Sequence, residues 1–384
     1  MKITAVTPLV LGTPWRNLTF VKVDTDEGIY GLGEVRLNNR TNALLGYLSE
    51  ATPRYAIGHD PFDTELLTSR MMINDFGRMG EITMSVLSIL EVACWDIMGK
   101  VLGQPCYRLM GGAVRDKIKA YANGWYTVER TPEAFHAAAL KVVERGYLAL
   151  KIDPFGTGRY ELSLNEQARS VSLIEAVRDA VGPEREIMIE MHGRFNPATT
   201  ILMAHKLQHL RPAWIEEPVP PENLPELRRV AEHVEIPIAT GERLHSMNEF
   251  RSLFDLTAVD IIQPDLTHFG GITQTRRLAA WADVQNILVA PHNVGGPVST
   301  AAALHLAACT PNFMIQEHFN DFADAWVKQA APGLPEVVDG YFSLPDKPGL
   351  GVELNEAIFR EHPQTDGHFD LYREDWHRRE TTKT

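Results

Sequence analysis

Eight short apolar runs, each ending in a polar or charged residue and each followed by a helix-like segment, occupy the middle of the 384-residue chain. They lie near residues 117–124, 147–152, 186–191, 213–216, 236–240, 259–263, 287–290 and 313–316. Apolar runs alternating with capped helical segments are the pattern of βα units on a parallel sheet, so eight runs predict a closed barrel with seven intervening helices. The first of these helices opens on Thr131-Pro132-Glu133, a cap, a first-turn proline and an acid that suits the helix dipole, and it stops at Gly146.

The flanks read differently. Residues 1 to about 55 alternate in period two, as in Phe20-Val21-Lys22-Val23-Asp24 and Gly28-Ile29-Tyr30-Gly31-Leu32-Gly33-Glu34, with Asp-Glu-Gly between them as a hairpin turn. Helical spacing takes over from about 60 to 110. Strands followed by helices predict an α+β domain over 1–115, ahead of the barrel at 116–325. From 326 to 384 the rhythm is lost among prolines and glycines, and this segment is expected to return to the N-terminal domain as part of a cap. Beyond about 362 the composition turns polar and charged, and the last residues are expected to be mobile.

Composition excludes several functions. An apolar fraction of 44%, a charged fraction of 23% and 8% aromatics describe an ordinary globular chain. A formal charge of −13 without a basic stretch argues against nucleic acid as a partner. Cys94, Cys106 and Cys309 are an odd count in apolar or helix-like segments and read as reduced thiols. No signal-peptide pattern occupies Met1–Gly12, and no run is expected to approach the roughly 18 apolar residues that cross a bilayer. A cytoplasmic enzyme without membrane contact is the expectation.

Barrel enzymes carry their reacting groups at the C-terminal ends of strands. The polar residues in that position are Lys151 and Asp153, Glu190 and His192, Glu216, Glu242, Asp265, His292 and Glu317. From Glu190 onward the intervals are 26, 26, 23, 27 and 25 residues, about one βα unit each, which brings one functional group per unit to a shared mouth. One buried carboxylate is readily explained by a helix cap or a pairing with Arg194, Arg243 or Lys151; three on consecutive strands repel unless a cation lies between them. Oxygen ligands favour Mg2+, with Mn2+ as the main substitute. His292 and Asp265 end adjacent strands, within reach for the carboxylate to orient the imidazole as a general base.

Three stretches carry a resemblance: Leu90 to Gly112, Trp214-Ile215-Glu216-Glu217-Pro218, and Val259-Asp260-Ile261-Ile262-Gln263-Pro264-Asp265 running to Gly270-Gly271-Ile272-Thr273. Together they resemble the enolase superfamily, in its mandelate racemase-like branch, over nearly the whole chain. The resemblance implies an α/β fold, a (β/α)7β TIM-like barrel under an α+β cap made from both chain ends. By it Glu190, Glu216 and Glu242 match the magnesium ligands, His292 with Asp265 the base dyad, Glu317 a protonated group facing the substrate carboxylate, and Lys151 the first lysine of a Lys-x-Lys motif. Asp153 stands in place of the second lysine, which argues against simple racemisation. Glu190-Met191-His192-Gly193-Arg194 is similar to the Asp-x-His-Gly-Arg of sugar-acid dehydratases, where the histidine is the general acid; two residues beyond a ligand on one strand, His192 is expected to face the same side.

The implied reaction is removal of the C2 proton of an aldonic or aldaric acid, R-configured at C2, to an enediolate, followed by loss of the C3 hydroxyl and formation of a 2-keto-3-deoxy acid. Candidate contacts to the distal hydroxyls are Asn38, Asn39, Arg40, Trp125, Tyr126 and Asp153, with capping loops around 14–19 and 37–47 closing over them. Relatives assemble into dimers or octamers, so a homo-oligomer is expected. The alternatives are an epimerase, racemase or cycloisomerase of the same superfamily, a non-catalytic sugar-acid-binding protein, and an aldolase with Lys151 as Schiff base.

Overall fold

The computed structural model describes residues 1–380. The period-two segment forms three antiparallel strands, β1 (Ile3–Gly12), β2 (Asn17–Thr25) and β3 (Tyr30–Val35), with the Asp-Glu-Gly turn joining the second to the third. Helices α1 (Thr41–Ala51), α2 (Thr64–Asn74), α3 (Glu81–Leu102) and α4 (Cys106–Leu109) follow. Helix therefore begins at Thr41, inside the stretch expected to be extended, because Leu44, Leu48 and Ala51 bury one helical face.

Helix α3 corrects another expectation. It is long and apolar enough to cross a membrane by length and composition, with an 18-residue window of mean hydropathy 1.5, but 83% of that window is buried inside the fold. Strand β3 lies against it closely: a Cβ at Gly31 or Gly33 would come within 2.1 Å of the carbonyl oxygens of Ala93 and Ile89.

The barrel strands are β4 (Lys117–Ala122), β5 (Ala149–Ile152), β6 (Glu186–Glu190), β7 (Trp214–Glu216), β8 (Ile238–Thr240), β9 (Ile261–Ile262), β10 (Leu288–Val289) and β11 (Gln316–His318). All are parallel and pair in chain order from β4 to β10. β11 pairs with β4, and a bridge from Val289 to Phe313 closes the ring. The seven intervening helices are α5 (Pro132–Glu144), α6 (Leu164–Val181), α7 (Pro197–Leu207), α8 (Leu224–Ala231), α9 (Met247–Asp255), α10 (Gly271–Val284) and α11 (Pro297–Cys309). Thr131 caps α5 as read from the sequence, its side chain accepting from the Ala134 amide.

The barrel interior explains how the site is placed. Tyr121, Ala149, Met188, Trp214, Ala239, Ile261, Ala290 and Ile315, one from each strand or its margin, form a buried apolar layer of alternating bulk. Two residues further along each strand, on the same face by the strand period, stand Asn123, Lys151, Glu190, Glu216, Gly241, Gln263, His292 and Glu317. A polar layer thus rests directly on an apolar floor. The last strand is displaced from its expected 313–316, so Glu317 sits within β11 and not beyond its end.

Buried acids of the N-terminal domain join it to the barrel by accepting from helix N-termini. Glu34 accepts from the amides of Gly296, Val298 and Ser299 at the start of α11. Glu91 accepts from Ile272 N at 2.8 Å, Thr273 N at 3.0 Å, Thr273 Oγ1 at 2.5 Å and Trp95 Nε1 at 2.7 Å. These are the unsatisfied donors of a helix end meeting negative charge.

The C-terminal segment returns to both domains. β12 (Tyr341–Ser343) pairs antiparallel with β4, Leu350 N donates to Asp96 at 2.8 Å, and Gly12 N donates to His362 O at 3.0 Å. Past α12 (Glu356–Glu361) the chain is not loose as its polar composition suggested. Phe369 packs edge-on to Trp15 at 5.3 Å, and Trp376 and His377 are buried. The expectation of mobile last residues concerns in part 381–384, which lie outside the described residues. Replacing Glu91 by Ala strands three donors, since Trp95 Nε1 keeps Thr273 Oγ1 as an acceptor, and we expect a loss of about 3 kcal/mol in chemical denaturation, whereas the exposed Glu50→Ala stays within about 0.5 kcal/mol.

Candidate active site

Glu190 ends β6 and Glu216 ends β7, while Glu242 stands two residues beyond β8. One carboxylate oxygen from each falls within 4.8 Å of the others. Lys151 Nζ lies 2.5 Å from Glu216, 3.0 Å from Glu317 and 3.3 Å from Glu190, buried with all three. Burial pushes the Glu190 carboxyl up to about 7 against the pull of Lys151, with Glu242 adding repulsion. Burial and Glu190 drive Glu216 well above the ordinary range. Glu190 Oε2 makes no hydrogen bond among the described residues and has only the Lys151 ammonium, at 3.3 Å, beside it. One ammonium does not neutralise this many acids, and an oxygen-only donor set fits a hard divalent cation.

Two Asp–His pairs flank the cluster. Asp265 Oδ2 lies 2.8 Å from His292 Nδ1, and Thr267 holds the other Asp265 oxygen through its amide at 2.8 Å and its hydroxyl at 2.7 Å. The far nitrogen, Nε2, lies 3.5 Å from Glu242. Burial would lower the imidazole pKa, but Glu242, the Asp265 hydrogen bond and Glu317 outweigh it and raise it to about 9.

The second pair is His192 with Asp153, Nδ1 to Oδ2 at 2.5 Å. Asp153 also pairs with the buried guanidinium of Arg194. His192 does not continue the strand: it has φ 50°, Gly193 follows at φ 56°, and its amide donates to Glu190 Oε1 at 2.6 Å. This left-handed turn, not the strand period, brings the ring toward the glutamates.

Two expectations are corrected here. Asp153 is fully buried and is spent on His192 and Arg194, so it is no substrate contact. Glu317 is likewise fully buried and accepts from Asn123 Nδ2 at 2.7 Å and Asn293 N at 2.7 Å. Burial favours its neutral form, but Lys151, His292 and the Asn293 amide win and hold it ionised, opposite to the protonated form expected.

Glu190, Glu242, Lys151, His192 and His292 open onto one cavity of about 240 Å³. Of the residues expected as substrate contacts, Asn38 and Tyr126 line it. Arg40 does not; it is exposed and pairs with Glu81. Trp125 sits behind the wall, donating from Nε1 to Lys151 O at 2.8 Å, and Asn39 is occupied with the Phe369 backbone. The loop around 14–19, expected to close over the substrate, supplies Trp15 to the roof; Arg36, Phe369, Leu371, Trp376 and Arg379, which complete it, were not singled out from the sequence. Trp376 stands edge-on to His192 at 5.8 Å. Aromatic residues in an otherwise polar tail were the available signal.

Residues 9–111 match the family model of the mandelate racemase / muconate lactonizing enzyme N-terminal domain, and residues 134–358 match that of the enolase C-terminal domain-like family. The chain belongs to the enolase superfamily. It is 36% identical over 373 residues to a D-galactonate dehydratase of Ralstonia pickettii (strain 12J), covering 94% of each. It is 35% identical to a D-gluconate dehydratase of Thermoproteus tenax over 89% of this chain and 69% of that protein. A crystal structure of a mandelate racemase/muconate lactonizing enzyme from Sulfitobacter sp. superposes with a TM-score of 0.89 at 34% identity, covering 95% of this chain and 96% of that one. Another, from Jannaschia sp. CCS1, gives 0.88 at 34% identity, with 95% and 98% covered.

Enolase-superfamily members use Mg2+, and the three glutamates of this member can hold a metal. If they do, Mg2+ at a hundredfold excess over its Kd stabilises the protein by about 2.7 kcal/mol, read as a raised melting temperature that EDTA reverses. We expect Glu190→Gln to lose most of that rise while remaining folded without metal.

Proposed function

We propose that this protein dehydrates a sugar acid to a 2-keto-3-deoxy acid, with Glu190, Glu216 and Glu242 holding Mg2+. The observation that carries the reading is the convergence on one cavity of two Asp-oriented imidazoles, a buried lysine, Glu190 and Glu242, with Glu216 clustered beside these two glutamates. The dehydratase names of relatives about 35% identical support the same class.

The difficulty of the reaction lies in removing a proton beside an ionised carboxyl group, because the anion left behind carries two charges. Bound to the glutamates, Mg2+ supplies Lewis-acid stabilisation of negative charge on a substrate carboxylate. Lys151 adds a fixed positive charge at the same end of the cavity. Burial alone would neutralise it, but Glu216, Glu317 and Glu190 keep it protonated. The charged state disfavours the aldolase alternative, whose Schiff base needs a free amine.

His292 takes the C2 proton at Nε2, with Asp265 fixing the Nδ1–H tautomer and stabilising the imidazolium that forms. A cation held by Glu242 would offset the charge that raises the His292 pKa and so would leave Nε2 free to take a proton. His192, fixed at Nδ1 by Asp153, gives a proton from Nε2 to the departing C3 hydroxyl. Trp376, Phe369 and Trp15 keep bulk water from the enol product, which then tautomerises.

Two imidazoles in one cavity also suit an epimerase, which removes and returns a proton at one carbon. Incubation with sugar acids in deuterium oxide separates the readings. Dehydration gives a keto acid, and His292→Asn abolishes both deuterium exchange at C2 and product formation. His192→Asn retains exchange while product falls by about 100-fold or more. Deuterated, inverted acid without keto acid would establish epimerisation instead. We further expect Asp153→Asn to reproduce the His192→Asn pattern in milder form, about 10-fold, because it releases the ring without removing it.

A further inference from the structure

The cavity carries more positive charge than the proposed chemistry uses. Arg36, just past β3, and Arg379, in the C-terminal tail, both line it. Arg16, from the turn between β1 and β2, stands behind the wall with its guanidinium 4.3 Å from the Trp15 ring and 4.8 Å from Phe319. Arg379 lies 5.5 Å and 4.3 Å from the same two rings. Two guanidinium groups therefore share one pair of aromatic side chains, and Arg36 lies close enough to repel Arg16.

None of them forms an ion pair among the described residues. The remaining arginine on the cavity, Arg243, is bound to Glu217 at 2.7 Å, and Arg194 is bound to Asp153. Arg16 is only 4% exposed, and its Nε and Nη1 have no hydrogen-bond partner; Arg36 Nε is also buried without one. Arg379 has one contact of this kind, to Phe322 O at 3.3 Å. Two acids act on Arg16: Glu34, which is committed to the N-terminus of α11, and Asp324, which also acts on Arg379 but forms no ion pair with either among the described residues. Arg16 also feels the repulsion of Arg36 and Arg379. Buried guanidinium groups without partners are unfavourable, and a cluster of them is the donor set that a carboxylate or phosphate completes.

We infer that Arg36 and Arg379, backed by Arg16, form a second anion subsite in the roof of the cavity, so that the substrate is a sugar acid with an anionic group at each end. This rests on the sugar-acid reading above. The glutamate cluster and Lys151 stand on the barrel floor, whereas these arginines come from the capping domain and the tail, so an extended acid between them presents one end to each. An aldaric acid supplies a carboxylate there and a 6-phosphoaldonic acid a phosphate; an aldonic acid offers only a hydroxymethyl group.

The test uses the full-length protein with Mg2+ and three acids of matched configuration: D-gluconate, D-glucarate and 6-phospho-D-gluconate, with D-galactonate and galactarate as a second pair. Turnover is measured on the wild type, and binding by calorimetry on His292→Asn, which holds substrate without consuming it. We expect a doubly anionic acid to be favoured over its aldonate by about 10- to 100-fold in kcat/KM and in Kd. Arg36→Gln and Arg379→Gln should erase most of that preference, Arg379→Lys should restore part of it, and an unchanged response of melting temperature to Mg2+ should show that the variants are folded. Preference for glucarate or galactarate assigns the subsite to a carboxylate, and preference for the phosphoacid assigns it to a phosphate. Aldonates used and bound as well as the doubly anionic acids would overturn the subsite while leaving dehydration in place. Arginine-dependent binding of a doubly anionic acid, with no keto acid formed from any substrate, would leave the subsite and remove the dehydration.

Discussion

The repulsion among buried carboxylates at the mouth of the barrel is the constraint around which the site is organised. Glu190, Glu216 and Glu242 are fixed by strand geometry, and Lys151 is drawn among them and Glu317. A protein interior tolerates such a cluster only where other contacts hold the groups in place and a cation offsets their charge. The floor beneath meets the first requirement. Trp214 fills the apolar layer and donates from Nε1 to Glu216 at 2.9 Å, so the residue that packs the barrel also orients a glutamate. The same charges reach His292 through Glu242 and Asp265, which couples the cluster to the group placed to move a proton.

The roof is built by a different principle. Barrel strands impose positions, but the cap must be docked, and it is docked by putting acids on the exposed amides of helix N-termini. Glu34 and Glu91 each satisfy several backbone donors that the barrel helices cannot satisfy themselves. Arg36 follows Glu34 by two residues, so a contact that attaches the domain also places a cavity-lining cation. The tail is fastened by its backbone to Asn39 and by Phe369 to Trp15, which sets Trp376 over His192 and Arg379 beside Phe319. Floor and roof thus meet different ends of whatever the cavity holds.

The floor was legible in the sequence because its signals are local and periodic. A short apolar run closed by a polar group recurs about every 25 positions from Glu190 onward, and that recurrence located the three glutamates, Asp265 and His292, while Lys151 was read from the end of the run before them. Strand period past the strand's end points to His192 for an incomplete reason, since the left-handed turn at His192 and Gly193 aims the ring. Asp153 was misread because its partners, Arg194 and His192, are about 40 residues away and its burial cannot be seen locally. Glu317 was given the wrong protonation state because Lys151 and two amide donors act on it from three other segments. Of the roof, only the loops around 14–19 and 37–47 were legible. Trp376 is buried and Phe369 half-buried, packed on Tyr126 and Trp15 from distant segments, and polar composition there pointed to mobility. That Arg16, Arg36 and Arg379 lack ion-pair partners among the described residues is a property of the folded molecule alone.

The claim on which this account turns is that the three glutamates share one divalent cation, and diffraction from crystals grown with Mn2+ tests it most directly. The account predicts a single strong anomalous peak bounded by a carboxylate oxygen of Glu190, Glu216 and Glu242, displaced by Mg2+ with oxygen distances of about 2.1 Å. A map without that peak, with the three carboxylates still gathered on Lys151 alone, would contradict it.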